Sequence, residues 1–149
     1  MERLKPGCFR MSLKEEPDVL ALWHHKWEWV LGRTTSGTLR LFDEATGLRF
    51  ELDIDERTPD GARALGTVDR GDVAGCSFLM QPTAEEWEDT GNGLPRRTIT
   101  EAWLYEVTLT PIPAYPQTSV SVTRSTINAA NASRRRAEAA MRRRGIPLK

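Results

Sequence analysis

The apolar residues of this 149-residue chain come in short segments with the spacing of β-strands. Leu48, Phe50, Leu52 and Ile54 alternate with polar residues, which is the period of a strand with one buried face. The run 73–80 is apolar on both faces and predicts a buried strand. Further strands are predicted at 19–23, from about 29 to 33, at 38–42 and at 98–110, with a hairpin at 43–47. This pattern favours a mainly β body, closer to a barrel than to a parallel α/β sheet.

One helix is expected near the middle of this body, at about 58–70. Thr58 suits the N-cap, Pro59 the first helical position, and Asp60 complements the positive end of the helix dipole. Gly71 then ends the helix. Residues 1–18 are expected to be irregular and residues 82–97 to form a long mobile loop, because both stretches contain the breakers Pro and Gly.

Charge divides the chain into two parts, although the net charge is zero. Residues 134–149 contain seven Lys or Arg and one Glu, a charge of +6, so the preceding 133 residues carry −6. The segment 126–144 is helix-prone but has no broad apolar face. We therefore expect a folded body, residues 1–123, followed by a basic helix-prone tail, residues 124–149, that is solvated or bound to a partner.

Several classes of protein are disfavoured. The longest apolar run is too short to span a membrane, and the charged N-terminal residues do not resemble a secretory signal. The two cysteines, Cys8 and Cys76, make neither a disulfide framework nor a zinc site. There is no Gly-rich phosphate loop before a helix, and two adjacent histidines without further ligands make a poor metal site. We expect no cofactor and no metal.

Ser77 is the only hydroxyl within the buried run 73–80. Most serines in strands simply bond to the backbone, and a serine becomes nucleophilic only beside a base that is itself oriented by an acceptor. Cys76 is a weaker candidate, because its apolar neighbours indicate packing. Arg96 and Arg97 are read first as loop charges and second as groups that help to place donors around an oxyanion.

The base for Ser77 would be His24 or His25, the two histidines of the chain. The spacing of the residues does not choose between them. The orienting carboxylate would be Glu101 or Glu106, which point to opposite faces of an ideal strand because they are five residues apart. A carboxylate among apolar residues is costly unless it is paired. Solvated side chains are the ordinary explanation for each of these groups taken alone.

Several segments, in the same order, resemble the prohead (capsid maturation) proteases of tailed bacteriophages. "VLALWHHKWEWVLGRTTSGTLRLFDEATGLRFELDI" resembles their histidine segment, "RGDVAGCSFLM" their serine segment and "RTITEAWLYEVTLTPIPAYPQTSV" their closing strand. "LKPGCF" resembles their early "PGAF" motif. The resemblance runs from about Leu4 to Val120, and the preserved order of the motifs makes it specific.

The resemblance implies a serine endopeptidase with the fold of the herpesvirus assemblins, a β-barrel with flanking helices. The family histidine falls on His25, the serine on Ser77 and the glutamate of the "EVS" motif on Glu106, with Glu101 as the alternative. The implied place of action is the assembling procapsid in the host cytoplasm. The implied substrates are the scaffold protein, the major capsid protein and then the protease itself. A homo-oligomer is expected, with no membrane, and nucleic acid is not an expected partner.

The chain also departs from the family pattern. Lys26 follows the histidine where the family often has Asp, and Leu79 replaces the glycine of "SFGF". The chain begins almost at the "PGAF" motif, whereas the family usually has one or two strands before it. The first barrel strand is therefore expected to be missing or supplied by another molecule. The alternative function is a non-catalytic barrel that binds scaffold or capsid protein during assembly, with the basic tail as its anchor.

Overall fold

The computed structural model describes residues 2–15, 17–91, 93–123 and 137–145. The helices are α1 (Arg10–Lys14), α2 (Pro59–Asp69) and a short 3₁₀ helix, Thr34–Ser36. The strands are β1 (Glu2–Leu4), β2 (Leu20–Trp23), β3 (Lys26–Arg33), β4 (Leu39–Glu44), β5 (Gly47–Leu52), β6 (Gly75–Glu88) and β7 (Arg96–Thr110). The mainly β prediction with flanking helices is therefore confirmed.

Strand β7 is the centre of a five-stranded sheet. One of its edges pairs antiparallel with β6. The other edge pairs parallel with β1 and then, further along, parallel with β2, whose outer neighbour is β3. Strands β4 and β5 form a separate hairpin. The strands of the described part of the chain thus form two sheets, and the barrel expected from the resemblance is not closed there.

The hydrophobic core lies on one face of β7. Its residues Leu104, Val107 and Leu109 belong to two apolar clusters that also include residues of the β4–β5 hairpin and of α2. Neighbouring residues of a strand point to opposite faces. Glu106 and Thr108 therefore lie on the face of the sheet that is turned away from the core.

A β-bulge changes the alternation within β7. Glu106 is opposite Leu79 and Leu104 is opposite Met80, so two steps on β7 match one step on β6. A bulge of this kind adds one residue to one strand. Leu104 and Val107 consequently both contribute to the core although they are three residues apart. The bulge lies immediately beside Glu106, so the alternation of residues between the two faces shifts by one residue there.

Two predictions about irregular segments are wrong. Residues 1–18 contain β1 and α1, and the loop predicted at 82–97 is mostly strand, because β6 continues to Glu88 and β7 begins at Arg96. Arg97 donates from Nε to Glu85 Oε2 at 2.8 Å, and Arg96 lies 3.1 Å from Glu88. Opposite charges facing each other across strands stabilise the pairing.

Most of the predicted basic tail, 124–136 and 146–149, lies outside the described residues. Residues 137–143 are helical, as their composition predicts. Within the ranges that the structure describes, no helix has the length and hydropathy needed to cross a membrane.

Helix α2 confirms its predicted start. Thr58 is the N-cap, and its hydroxyl accepts a hydrogen bond from the Gly61 backbone N–H at 3.1 Å. Gly61 is buried, and a Cβ built on it would come within 2.1 Å of the Asp55 carbonyl oxygen. A Cβ on Gly66 would meet nothing within 4 Å. The two glycines of one helix therefore differ in their tolerance of a methyl group.

We predict opposite effects of alanine at these two glycines. Gly61→Ala should lower the free energy of unfolding by about 1–3 kcal/mol, because backbone must move to admit the methyl group. Gly66→Ala should raise it by about 0.5–1 kcal/mol, since alanine loses less conformational freedom in a helix. Urea denaturation of both variants measures the difference, and equal changes would contradict the close approach at Asp55.

Candidate active site

His24 and His25 form the two-residue turn that joins β2 to β3. Trp23 pairs with Lys26 across the turn, and the φ angles of His24 and His25 are 53° and 58°. Two positive φ angles are the mark of the type I′ turn, which usually carries Asn and Gly. The left-handed conformation costs a residue with a Cβ roughly 1–2 kcal/mol. The connection predicted at 25–28 is therefore wrong, because β3 already begins at Lys26.

The turn is attached to β7 by three contacts. His25 Nδ1 lies 2.6 Å from Glu106 Oε1, a distance at which the Nδ1–H donates to the carboxylate. The backbone N–H of His25 donates to Thr108 Oγ1 at 2.9 Å. The backbone N–H of His24 donates to the Leu109 carbonyl at 3.1 Å. These contacts hold the imidazole of His25 over the face of the sheet that is turned away from the core.

Glu106 is a buried carboxylate with one partner. Its side chain is 1% exposed, and its Oε2 has no hydrogen-bond partner among the residues that the structure describes. Burial raises the pKa of Glu106, and the hydrogen bond from His25 opposes this shift. A buried carboxylate oxygen without a donor is costly, and perturbed carboxylates are concentrated at functional sites.

Ser77 lies on β6 directly opposite Thr108 and is 6% exposed. Opposite residues of an antiparallel pair share a face, so Ser77, Thr108 and Glu106 all lie on the face that His25 covers. The Ser77 hydroxyl makes no hydrogen bond within the described ranges, and none to His25. Hydrogen bonds between catalytic groups are often long without substrate. The structure thus joins His25 to Glu106 directly and brings Ser77 to the same face.

The alternative histidine and glutamate are not joined. Glu101 is exposed and lies opposite Ala84, beyond the bulge. His24 packs edge to face on Trp23, with ring centroids 4.4 Å apart. Burial and the neighbouring His25 lower the pKa of His24.

The other candidates stand apart from Ser77. Cys76 is opposite Leu109 of the core, its backbone N–H donates to Thr118 Oγ1, and burial raises the pKa of its thiol. A raised pKa leaves less of the reactive thiolate. Arg97 is opposite Trp87, ten residues along β6 from Ser77. Ten residues of strand span roughly 33 Å, so the reading of this arginine pair as an aid to an oxyanion site is wrong.

A groove of about 1040 Å³ lies between the sheets, on the side of the core. Its lining includes Phe50, Phe78 and Leu109. Ser77 borders this groove, whereas His25, Thr108 and Glu106 do not. The described part of the chain contains no group of three His, Cys, Asp or Glu that could hold a metal ion.

Comparison with known proteins identifies the class of this chain. The family model described as Caudovirus prohead serine protease matches residues 1–133, a match to serine proteases that act in capsid maturation. The chain belongs to the caudovirus prohead serine protease family. No curated protein and no solved structure matches it. Membership confirms the family that the histidine, serine and closing-strand segments resemble.

Thr108 is the residue of the site that sequence reasoning missed. It follows Glu106 by two residues and therefore shares its face, and it contacts His25 through a hydroxyl that is 2.9 Å from the backbone N–H. A buried hydroxyl two residues after the candidate glutamate was the available signal. Its value was hidden because the contact joins residues 83 positions apart in the chain.

We predict that Glu106→Gln changes stability in a pH-dependent way. Because the pKa of Glu106 is raised, the contribution of this carboxyl to stability is fully present below its unfolded-state pKa and is lost as pH rises through the folded-state pKa. The free energy of unfolding of Glu106→Gln, relative to wild type, should therefore increase between pH 4 and pH 8. Urea titrations at several pH values measure it.

The matched control for this prediction is Glu101→Gln. Glu101 is exposed on the same strand. Its substitution should change the free energy of unfolding by less than about 0.5 kcal/mol at each pH. A relative stability of Glu106→Gln that stays flat or falls with rising pH would contradict the raised pKa.

Proposed function

We propose that Ser77, His25 and Glu106 are the catalytic triad of an endopeptidase that cleaves scaffold and major capsid protein in the procapsid, and then itself. The observation that carries the proposal is the 2.6 Å contact between His25 Nδ1 and Glu106 Oε1. In the tautomer in which Nδ1–H donates to the carboxylate, Nε2 is the acceptor. Acyl transfer requires an acceptor nitrogen that can reach a serine hydroxyl, and Ser77 lies on the same face of the sheet.

Each step then follows from these three side chains. Nε2 of His25 takes the proton from Ser77 Oγ as that oxygen attacks the carbonyl carbon of the scissile peptide. The imidazolium that forms is stabilised by the Glu106 carboxylate and gives its proton to the leaving amine, so that the C–N bond breaks. A water molecule, deprotonated by the same nitrogen, hydrolyses the acyl-enzyme and restores Ser77.

The burial of Glu106 supports its role as the orienting group. Charges interact more strongly where water is excluded, so the almost fully buried carboxylate attracts an imidazolium more strongly than an exposed one would. The partly exposed ring of His25 remains open to a substrate, since 46% of its side chain is accessible. Glu106 is thus the buried group that orients the ring, and His25 is the accessible group that transfers the proton.

The body, residues 1–123, is the proposed protease domain. The three triad residues lie on β6, on β7 and in the turn between β2 and β3. All of these elements precede residue 111, so the chemistry is assigned to the body alone. The separate role of residues 124–149 and the homo-oligomeric state stay predictions.

The first test replaces the nucleophile. Ser77→Ala should reduce cleavage of the phage's own scaffold and major capsid protein by a factor on the order of 10⁴ or more, because the triad acts as a unit. Cys76→Ala is the matched control and should cleave at nearly the wild-type rate. A serine-reactive fluorophosphonate should label Ser77 of the wild type, as identified by mass spectrometry of the tryptic peptide.

Two outcomes would decide against the triad. Cleavage by Ser77→Ala at nearly the wild-type rate would remove the nucleophile from the proposal. A folded wild-type protein that neither cleaves nor reacts with the probe would favour the alternative, a non-catalytic assembly module.

The second test replaces the base without disturbing the turn. Asparagine suits both turn positions, so the backbone of the turn should be kept in both variants. His24→Asn should leave the free energy of unfolding within about 1 kcal/mol of wild type or raise it. His25→Asn should lower it, because the buried Glu106 carboxylate loses its donor, but the variant should remain folded. His25→Asn should lose as much activity as Ser77→Ala, and the double variant should lose no more. His24→Asn should remain active. Equal activity losses in the two asparagine variants would refute the choice of His25.

A further inference from the structure

We propose that Thr108 is a positioning residue that sets the imidazole of His25 against Ser77. The inference rests on the triad proposed above and adds a fourth side chain to it. Thr108 touches neither a substrate nor the reacting atoms in this arrangement. It acts through the backbone of the turn that carries the base.

Thr108 lies at a position of β7 where this strand has a neighbour on each side. It pairs with Ser77 of β6 on one side and with Leu22 of β2 on the other. Its side chain is buried, with the residue 1% exposed. A change in the position of Thr108 would therefore displace both β6, which carries Ser77, and β2, which precedes the turn that carries His25.

The hydroxyl of Thr108 uses both of its hydrogen-bonding functions. It donates to the Leu22 carbonyl at 3.0 Å and accepts from the backbone N–H of His25 at 2.9 Å. The first bond fixes the direction of the hydroxyl proton, so the oxygen lone pairs face the turn. The hydroxyl oxygen of Thr108 thus connects Leu22, near the end of β2, to the residue that carries the imidazole.

His25 needs this anchor because its backbone is strained. Its φ of 58° is unfavourable for a residue with a Cβ, and such conformations persist only where the surroundings determine them. Glu106 holds the ring of His25 and Thr108 holds its backbone N–H, so the two residues together fix the backbone and the side chain of His25. A misplacement of about 1 Å in a catalytic group can cost 10²-fold in rate.

Thr110 separates a positioning role from a general structural one. It lies on the same strand and the same face, opposite Gly75, and is also buried. Its hydroxyl accepts a hydrogen bond from the Ile112 backbone N–H at 3.3 Å and does not contact His25. Thr110→Val therefore removes a buried hydroxyl from β7 without touching the proposed triad.

The experiment compares Thr108→Val, Thr108→Ser and Thr110→Val in the full chain, with a peptide from the scaffold cleavage site as substrate. Thr108→Val should lower kcat by about 10- to 100-fold with KM within about threefold of wild type, since orientation rather than binding is lost. Thr108→Ser keeps the hydroxyl and should restore kcat to within about threefold of wild type. Thr110→Val should leave kcat unchanged.

A second readout does not depend on turnover. In the Ser77→Ala background, the Nδ1 proton of His25 should give a low-field NMR resonance because of its short bond to Glu106. Thr108→Val should shift or broaden this resonance, whereas Thr110→Val should leave it in place. Thr108→Ala, read in the same two ways, replaces the valine variant if that variant does not fold.

The outcomes separate this inference from the triad itself. A Thr108→Val variant with the kcat of wild type, or an equal loss in Thr108→Val and Thr110→Val, overturns the positioning role while Ser77→Ala remains inactive. Cleavage that survives Ser77→Ala overturns the triad and the positioning role together.

Discussion

Most of the structure depends on the pairing of one strand, β7. This strand of 15 residues pairs with β6 along one edge and with β1 and β2 in succession along the other. Glu106 and Thr108 lie where β2 and β6 flank it at the same time. Its alternation sends Val107 and Leu109 into the core and the two polar residues to the opposite face. One strand therefore separates the stabilising face of the sheet from the face that carries the proposed chemistry.

The sequence predicts those parts of the molecule whose signals are local. Helix α2 follows from Thr58 and Pro59, the β4–β5 hairpin from its alternation, and the family from its ordered motifs. The turn was missed because two histidines stand where Asn and Gly are usual. The extended pairing of β6 with β7 was missed because Pro and Gly in this stretch indicate a loop, whereas pairing across the strands, such as the bond between Arg97 and Glu85, favours strand. The bulge beside Glu106 changes the face of each residue beyond it, so alternation alone could not choose between Glu106 and Glu101.

The least favourable features of the fold are close together. The turn at His24 and His25 has two positive φ angles, and the carboxylate that it contacts is buried with an oxygen that lacks a partner among the described residues. Natural proteins depart from locally ideal structure mainly at functional sites. Here the departures meet at one contact, and the apolar clusters on the other face of β7 offset their cost. The proposed site is thus a place where stability is given up within a sheet that is otherwise regularly paired.

The parallel pairing of β2 with β7 also has a consequence for synthesis. His25 and Glu106 are 81 positions apart, and His25 leaves the ribosome long before its partner strand does. Contacts of such long sequence separation form late and slow folding, because a long loop must close before they are gained. A nascent chain therefore has a histidine hairpin with no carboxylate to orient it. Its topology therefore delays the proposed activity until β7 has been made.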